Sequence, residues 1–284
     1  MFNLKCLFYL CLIAVFSSCR LQRANRSVYA AQASNVPYFN EKGDAKLTGY
    51  YSGDDKPKNG GYNLQGAYAV TDRLVILAAY TRKHETQEYN YDSLRFSSGF
   101  FNGNVQTNIY DSSLINYKRN SFEVGAGYIF PLNSKKTVTY NLYAGASFGN
   151  FTMDDKGFDS VNHPYARYYT AKTLKPWLQG AFNFMFPDAS VNFSVGGKWS
   201  LLRFSQQGTS YTAHELNYLY LDKINNKSFF MWEPYINLQA GVPRCPWAKI
   251  ELQAAFCNYL GDNYPKVRGY SGSIGLTFSL PGGH

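Results

Sequence analysis

What most constrains this chain is an alternation of apolar and polar residues that returns again and again, separated by connections of two very different lengths. Gly61–Thr81, "GYNLQGAYAVTDRLVILAAYT", sets the type. Tyr62, Leu64, Gly66, Tyr68 and Val70 fall on one face, and Asn63, Gln65, Ala67 and Ala69 on the other. That period belongs to a strand with one dry and one wet face. Thr71-Asp72-Arg73 breaks it as a tight turn, and a second apolar run follows. The dry face could meet a soluble core or lipid.

The pattern predicts strands over 43–51, 61–70, 74–82, 121–130, 137–148, 173–186, 189–202, 230–242, 248–258 and 269–280. Short connections (71–73, 131–136, 187–188, 243–247) alternate with longer ones (52–60, 83–120, 149–172, 203–229, 259–268). A soluble sandwich has no reason to sort its loops this way. An up-and-down outer-membrane barrel does, with short periplasmic turns and long extracellular loops. The expected fold is therefore all-β: an antiparallel transmembrane barrel of about ten strands, in a range of about eight to twelve, over residues 43–284. An even strand number puts both of its ends in the periplasm.

The faces are legible. Phe122, Val124, Ala126, Tyr128 and Phe130 share one parity, as do Leu178, Phe182, Phe184 and Phe186, then Ile236 and Leu238, and Ile274, Leu276 and Phe278. The other parity carries Glu123, Asn141, Gln179, Asn183, Asn192, Lys198, Glu233, Asn237, Gln239, Glu251 and Gln253. Amides with few charges suit a narrow polar lumen, and the nearly uncharged face suits lipid. Tyr80, Phe122, Phe148, Trp232 and Tyr270 cluster towards the long connections, and Tyr68, Tyr128, Tyr140, Phe186 and Phe278 towards the turns. These are two interfacial girdles. Leu74–Ala79 is apolar on both faces, so the lumen should be plugged or narrow there.

Composition agrees, with 18 % aromatic residues and 24 Gly, a mixture that favours strands. The net charge of +9 suits nucleic acid or an anionic membrane surface, and no nucleic-acid motif is present. Arg82, Lys83, Lys118, Arg119, Lys172, Lys175, Arg203, Lys227, Lys266 and Arg268 all fall near the loop-side ends of strands. They would form a collar at the height of outer-leaflet lipopolysaccharide phosphates, unless they are simply solvated loop bases. Glu123, Lys198, Glu233, Lys249 and Glu251 would pair across the lumen, because buried charges need partners. Side chains can fill a barrel of this size, so a salt-bridged plug and a solute pathway are both open readings.

The N-terminus, "MFNLKCLFYLCLIAVFSSC", has one Lys, an apolar run from Leu7 to Phe16 and small residues before Cys19. This is the anatomy of a secretory signal over residues 1–18. Ser17-Ser18-Cys19 looks like a lipobox, which makes Cys19 the acylated first residue. Residues 19–42 read as a lipid-anchored periplasmic linker. Cys245 and Cys257 bracket one predicted strand, about 40 Å apart at its rise per residue. A disulfide needs Cα atoms within about 7 Å, so two free thiols are expected.

The stretch "NVPYFNEKGDAKLTGYYS…GGYNLQGAYAVTDRL", Asn35 to Leu74, resembles the opening of a family of small Gram-negative outer-membrane β-barrel proteins. Its members pair a lipobox-type signal with an E-K-G-D/E box and a Q-x-A-Y-A strand, here Gln65 to Ala69. The resemblance covers about 40 residues and implies porin-like architecture with no assigned activity. "SLPGGH" follows Phe278, a departure from the terminal Phe usual in such barrels.

Catalytic patterns are not traceable. His84-Glu85 and His214-Glu215 are adjacent, so within a strand each pair would point to opposite sides; His163 has no nearby pattern. "DDKGFDS" (154–160) breaks the spacing of a Ca²⁺ loop. No catalytic residue, metal or cofactor is assigned. The expected function is that of a non-enzymatic outer-membrane barrel, either narrow and porin-like or a scaffold. Its aromatic-rich loops, with Tyr89, Tyr91, Phe96, Phe100 and Phe101 in the longest, would meet an extracellular protein or glycan. The alternatives are a rim-active protease-like or lipid-modifying enzyme, and a soluble lipocalin-like periplasmic lipoprotein.

Overall fold

The computed structural model describes residues 26–39, 41–53, 59–90, 110–225, 227–242, 244–245, 247–260 and 267–282. The expected signal segment 1–18, Cys19 and Lys266 lie outside them.

The strands are β1 (Tyr29–Ala30), β2 (Ala45–Gly53), β3 (Gly60–Ala69), β4 (Leu74–Asn90), β5 (Tyr110–Pro131), β6 (Val138–Asp159), β7 (Pro164–Phe186), β8 (Val191–Thr209), β9 (Ser228–Gly241), β10 (Ala248–Phe256), β11 (Asn258–Tyr259), β12 (Val267–Arg268) and β13 (Tyr270–Leu280). β2 to β10 and β13 make a closed, antiparallel, up-and-down barrel of ten strands, with β13 joining β10 to β2. The β2–β13 seam is paired over Ala45–Tyr51 and Ile274–Leu280, and over that length closure leaves no open sheet edge. The turns at one end are short. In Thr71-Asp72-Arg73 the Thr71 hydroxyl accepts the backbone N–H of Leu74 at 2.9 Å, a side chain standing in for a backbone turn bond.

The exterior is an apolar belt. Leu64, Ile76, Val124, Leu178, Ile236, Leu252 and Ile274 all point outward and are exposed. Phe122 to Phe130 is nine residues, roughly 27 Å along a strand and about 20 Å along the barrel axis at a ~40° tilt. At the turn end, ring centroids step from Tyr128 to Phe130 (4.8 Å), Tyr140 (6.2 Å) and Phe182 (5.0 Å). At the other end, Tyr80, Phe122, Phe148 and Leu174 align across four strands.

The wall is much taller on one side. β5, β6 and β7 have 22, 22 and 23 residues, whereas β2, β3 and β10 have 9, 10 and 9. Parts of 83–120, 149–172 and 203–229, expected as loops, are therefore wall. Along these extensions the inward parity continues, apart from register shifts near Tyr110 and at Thr170–Lys172, but its chemistry inverts. Glu123 and Asn141 face inward within the belt; further up, Ile115, Tyr117, Phe151, Met153 and Phe204 do so, with Lys118, Asn120 and Asn150 outside. These apolar inward residues follow the dry-inside rule of a soluble barrel, with Glu85, Ser113 and Asp155 as buried polar exceptions.

The interior is closed at both ends. At the long-strand end, residues 210–225 fold over the mouth, burying Tyr211, Leu219, Leu221 and Ile224 against the inverted upper wall. At the turn end, Ala67, Ala69, Val75, Leu77, Ile129, Tyr143 and Trp177 form a second apolar cluster around Phe39. Trp177 lies flat on the wall where Gly125 and Gly145 leave room; a Cβ there would sit 2.6 and 2.5 Å from its ring. Leu74–Ala79 is apolar on both faces because its inner face, Val75 and Leu77, belongs to this cluster.

Residues 26–39 fall within the stretch 19–42 expected as a periplasmic linker. They run through the lumen, and all but Gln32 and Tyr38 are buried. Arg26 lies at the long-strand end, bonded to Asp155 and Ser113, and Lys42 reaches the opposite turn at Asp72. Gly282 is also at the turn end, its N–H donating to Asp44 at 3.0 Å. Cys245 and Cys257 are free thiols, Cys257 buried.

Candidate functional site

The inward amides of the wall bind the strap formed by 26–39. Gln65 donates to the carbonyl of Ala33 (2.9 Å), Gln179 to that of Asn35 (2.9 Å), Lys83 to that of Ala31 (2.6 Å) and Lys46 to that of Val36 (2.8 Å). Gln253 accepts the N–H of Ser34 at 2.5 Å and donates to its carbonyl at 2.9 Å. A chain crossing a barrel must find partners for its backbone. Here side chains supply most of them, since the strap's one ladder is the two-residue parallel pairing of β1 with β12.

The five lumen charges do not form one network. Lys198 pairs with Glu123 at 2.8 Å and sits 4.7 Å from the Trp177 ring. Glu233 takes Lys175 at 3.3 Å and the Tyr29 hydroxyl of the strap at 2.6 Å. Glu251, fully buried, takes Lys46 at 3.0 Å, Asn237 at 2.6 Å and Gln239 at 2.8 Å, with Tyr50 and Thr277 also donating. Lys249 is half-buried and makes no pair with these acids among the described residues. The partners Lys46 and Lys175 are both buried lumen residues, although nearness to a strand end puts Lys175 among the expected collar.

Of the collar residues, Arg82, Lys118, Lys172, Arg203 and Lys227 are exposed. Arg82 and Lys172 stand in one ladder row with Asn120 and Asn150, directly above Tyr80, Phe122, Phe148 and Leu174. Lys83, Lys175, Arg119 and Arg268 instead turn inward. Arg119 and Arg268 both bind Glu85, Arg268 at 2.9 Å. Strand parity carries this difference: Arg82 and Lys83 are adjacent, so one of them must face the lumen.

Asp155 ties three elements together. It accepts from Arg26 of the strap at 2.6 Å, from Tyr211 of the lid at 2.6 Å and from Tyr165 of the wall at 3.0 Å. Residues 154–159 of that stretch belong to β6, with the Asp155 carboxylate turned to the interior. No group of three or more His, Cys, Asp or Glu suited to a metal occurs among the described residues. His84, His163 and His214 are all exposed on the upper wall, a hairpin and the lid, and His163 meets Asp159 at 3.7 Å.

No protein-family model matches the chain, and no curated protein matches it by sequence. Solved structures do. The translocator domain of the autotransporter NalP from Neisseria meningitidis is 11 % identical with a TM-score of 0.43, over 83 % of this chain and 86 % of that one. The outer membrane protease OmpT from Escherichia coli is 10 % identical with a TM-score of 0.44, over 84 % and 94 %. The attachment invasion locus protein Ail of Yersinia pestis is 11 % identical with a TM-score of 0.29, over 84 % and 99 %. Likenesses of this size say nothing about activity.

The lid contains a six-residue helix, Ala213–Tyr218, started by a capping box between Thr212 and Glu215. Arg167 of β7 grips the Glu215 carboxylate at 3.0 and 3.1 Å. Burial pushes the Glu215 carboxyl up, but the Thr212 bonds and Arg167 outweigh it and hold it below its ordinary value. A carboxylate depressed by folding stabilises above its unfolded pKa and ceases to do so as pH falls through the folded one. Amide exchange over 213–218, corrected for intrinsic rate, should therefore rise on acidification from neutral pH to below the folded pKa of Glu215. Glu215→Gln should flatten that dependence.

Sequence reasoning missed the strap because a polar linker and a polar plug look alike. One signal was available: Ser27–Asn40 contains no charged residue, which is unusual for fourteen positions of solvated linker.

Proposed function

We propose that this chain is a sealed, non-enzymatic outer-membrane β-barrel that acts as a scaffold and not as a pore. The supporting observation is the strap: residues 26–39 occupy the lumen from the long-strand end to the turn end, between two apolar clusters. Lipid around the barrel is supported by the belt, since apolar side chains outside and amides inside are the reverse of a lipocalin-like soluble barrel. Short turns face the periplasm and tall strands the exterior. Arg26 is then at the outer mouth, against the expectation of a periplasmic N-terminal segment, and the C-terminal Gly282 is periplasmic.

The exposed bases Arg82, Lys118, Lys172, Arg203 and Lys227 stand where lipopolysaccharide phosphates would lie, with aromatic side chains beneath them. That supports an anchoring role in the outer leaflet. The lid and upper wall then remain as the surface for an extracellular protein or glycan.

Planar-bilayer recording tests the sealed lumen. The protein should insert and stay electrically silent, with heat-modifiable migration verifying that the same preparation is folded. Reproducible conductance steps from folded protein would overturn the reading.

A further inference from the structure

One seam of the barrel does not close to the top. β2 and β13 pair only as far as Tyr51 and Ile274. Beyond that point β2 continues along β3 to Gly53, and β13 continues along β10 to Tyr270. Ser52 and Gly53 on one side, and Ser271, Gly272 and Ser273 on the other, therefore flank a notch in the wall. It opens into a cavity of about 570 Å³, within the few-hundred-Å³ range of small-ligand sites.

The notch has two chemistries. Its mouth is apolar and faces the belt: Tyr51, Tyr270 and Ile274 are 46 %, 54 % and 54 % exposed. Its inner wall carries Lys83, Arg268 and Glu85. Glu85 is held by two guanidiniums, Arg268 and, from behind, Arg119. The Lys83 ammonium gives protons to the Ala31 carbonyl at 2.6 Å and the Ser271 hydroxyl at 3.0 Å. An ammonium has three, and no carboxylate lies within ion-pair distance of Lys83 among the described residues. Nearby Glu233 is engaged by Lys175 and Tyr29. A buried ammonium with no carboxylate at ion-pair distance is costly without an anion.

We propose that the β2–β13 notch is a lateral binding site for an anionic amphiphile. Its phosphate or carboxylate headgroup enters to Lys83, and its acyl chain lies outside along Tyr51 and Ile274. The site is distinct from the outward collar, because Lys83 and Arg268 face the lumen. The inference rests on the reading that the barrel sits in lipid.

Native mass spectrometry of the full chain in a neutral detergent tests it, with phosphatidylglycerol, phosphatidylcholine of matched chains and inorganic phosphate as probes. One phosphatidylglycerol should bind in preference to phosphatidylcholine. Lys83→Gln should weaken it about tenfold or more, as expected for one lost charge-assisted hydrogen bond. Lys83 also holds the strap, so Ser273→Tyr provides a second variant: it fills the notch without removing a strap bond and should abolish the same binding. Equal retention of both phospholipids, or binding unchanged in folded Ser273→Tyr, overturns the proposal. Occupancy by inorganic phosphate with no gain from the acyl chain overturns it too and assigns a soluble anion instead. Heat-modifiable migration of each sample reports the barrel separately, so a failure of that reading is not mistaken for a failure of this one.

Discussion

Glu251→Ala is expected to destabilise the barrel by about 3–5 kcal/mol, the cost of leaving one member of a buried ion pair without its partner. The carboxylate has no solvent exposure and serves Lys46, Tyr50, Asn237, Gln239 and Thr277 from β2, β9 and β13. Lys46 in turn donates to the strap at Val36. Removing Glu251 strands an ammonium and several donors inside a wall that water reaches poorly. Urea-dependent unfolding from lipid vesicles, followed by tryptophan fluorescence, measures the loss. A change under about 1 kcal/mol, the scale of an exposed pair, would mean that the interior is wet and the network incidental. Glu251→Gln should fall between, since its amide oxygen keeps part of the bonding but not the charge.

Asp155→Ala is expected to cost a similar ~3–5 kcal/mol for the same reason, and to do so at one end only. It removes the carboxylate that Arg26 of the strap, Tyr211 of the lid and Tyr165 of the wall share. Amide exchange should therefore accelerate together over 27–31 of the strap and 211–224 of the lid, while the turn-end cluster around Phe39 stays protected. Glu215→Gln, which loosens the lid from Arg167 of β7 without touching Asp155, should accelerate exchange in the lid and leave the strap protected. If Asp155→Ala loosens the lid but leaves the strap protected, the two are not joined through this carboxylate.

How much was legible depends on which rule each residue obeys. Within the belt, alternation had only one reading: Phe122, Val124 and Tyr128 cannot face a polar lumen, nor Glu123 and Asn141 lipid, and the structure has them so. The turn at Thr71-Asp72-Arg73 was equally local. The upper wall was not. Ile115, Tyr117, Phe151 and Met153 keep strand parity but reverse its meaning, so a search for apolar-outward strands stops at Phe122 and Phe148 and takes the rest for loop. The collar was half legible for a related reason. Proximity to strand ends located all its residues, but parity sends Lys83, Arg119, Lys175 and Arg268 inward.

The sequence by itself determined the ten strands, their order, their outward-facing and lumen-facing sides, and the two free cysteines, because each follows from period-two chemistry within a strand or its neighbour. Only the tertiary structure decided what fills the lumen. Gln65, Gln179, Gln253 and Lys46 present the same donors whether they line water or hold a chain. Nothing local in Ser27–Phe39 says that its carbonyls lie within 3 Å of side chains from β2, β3, β7 and β10. Pairings between residues up to 219 positions apart come into being only when the barrel closes around the strap.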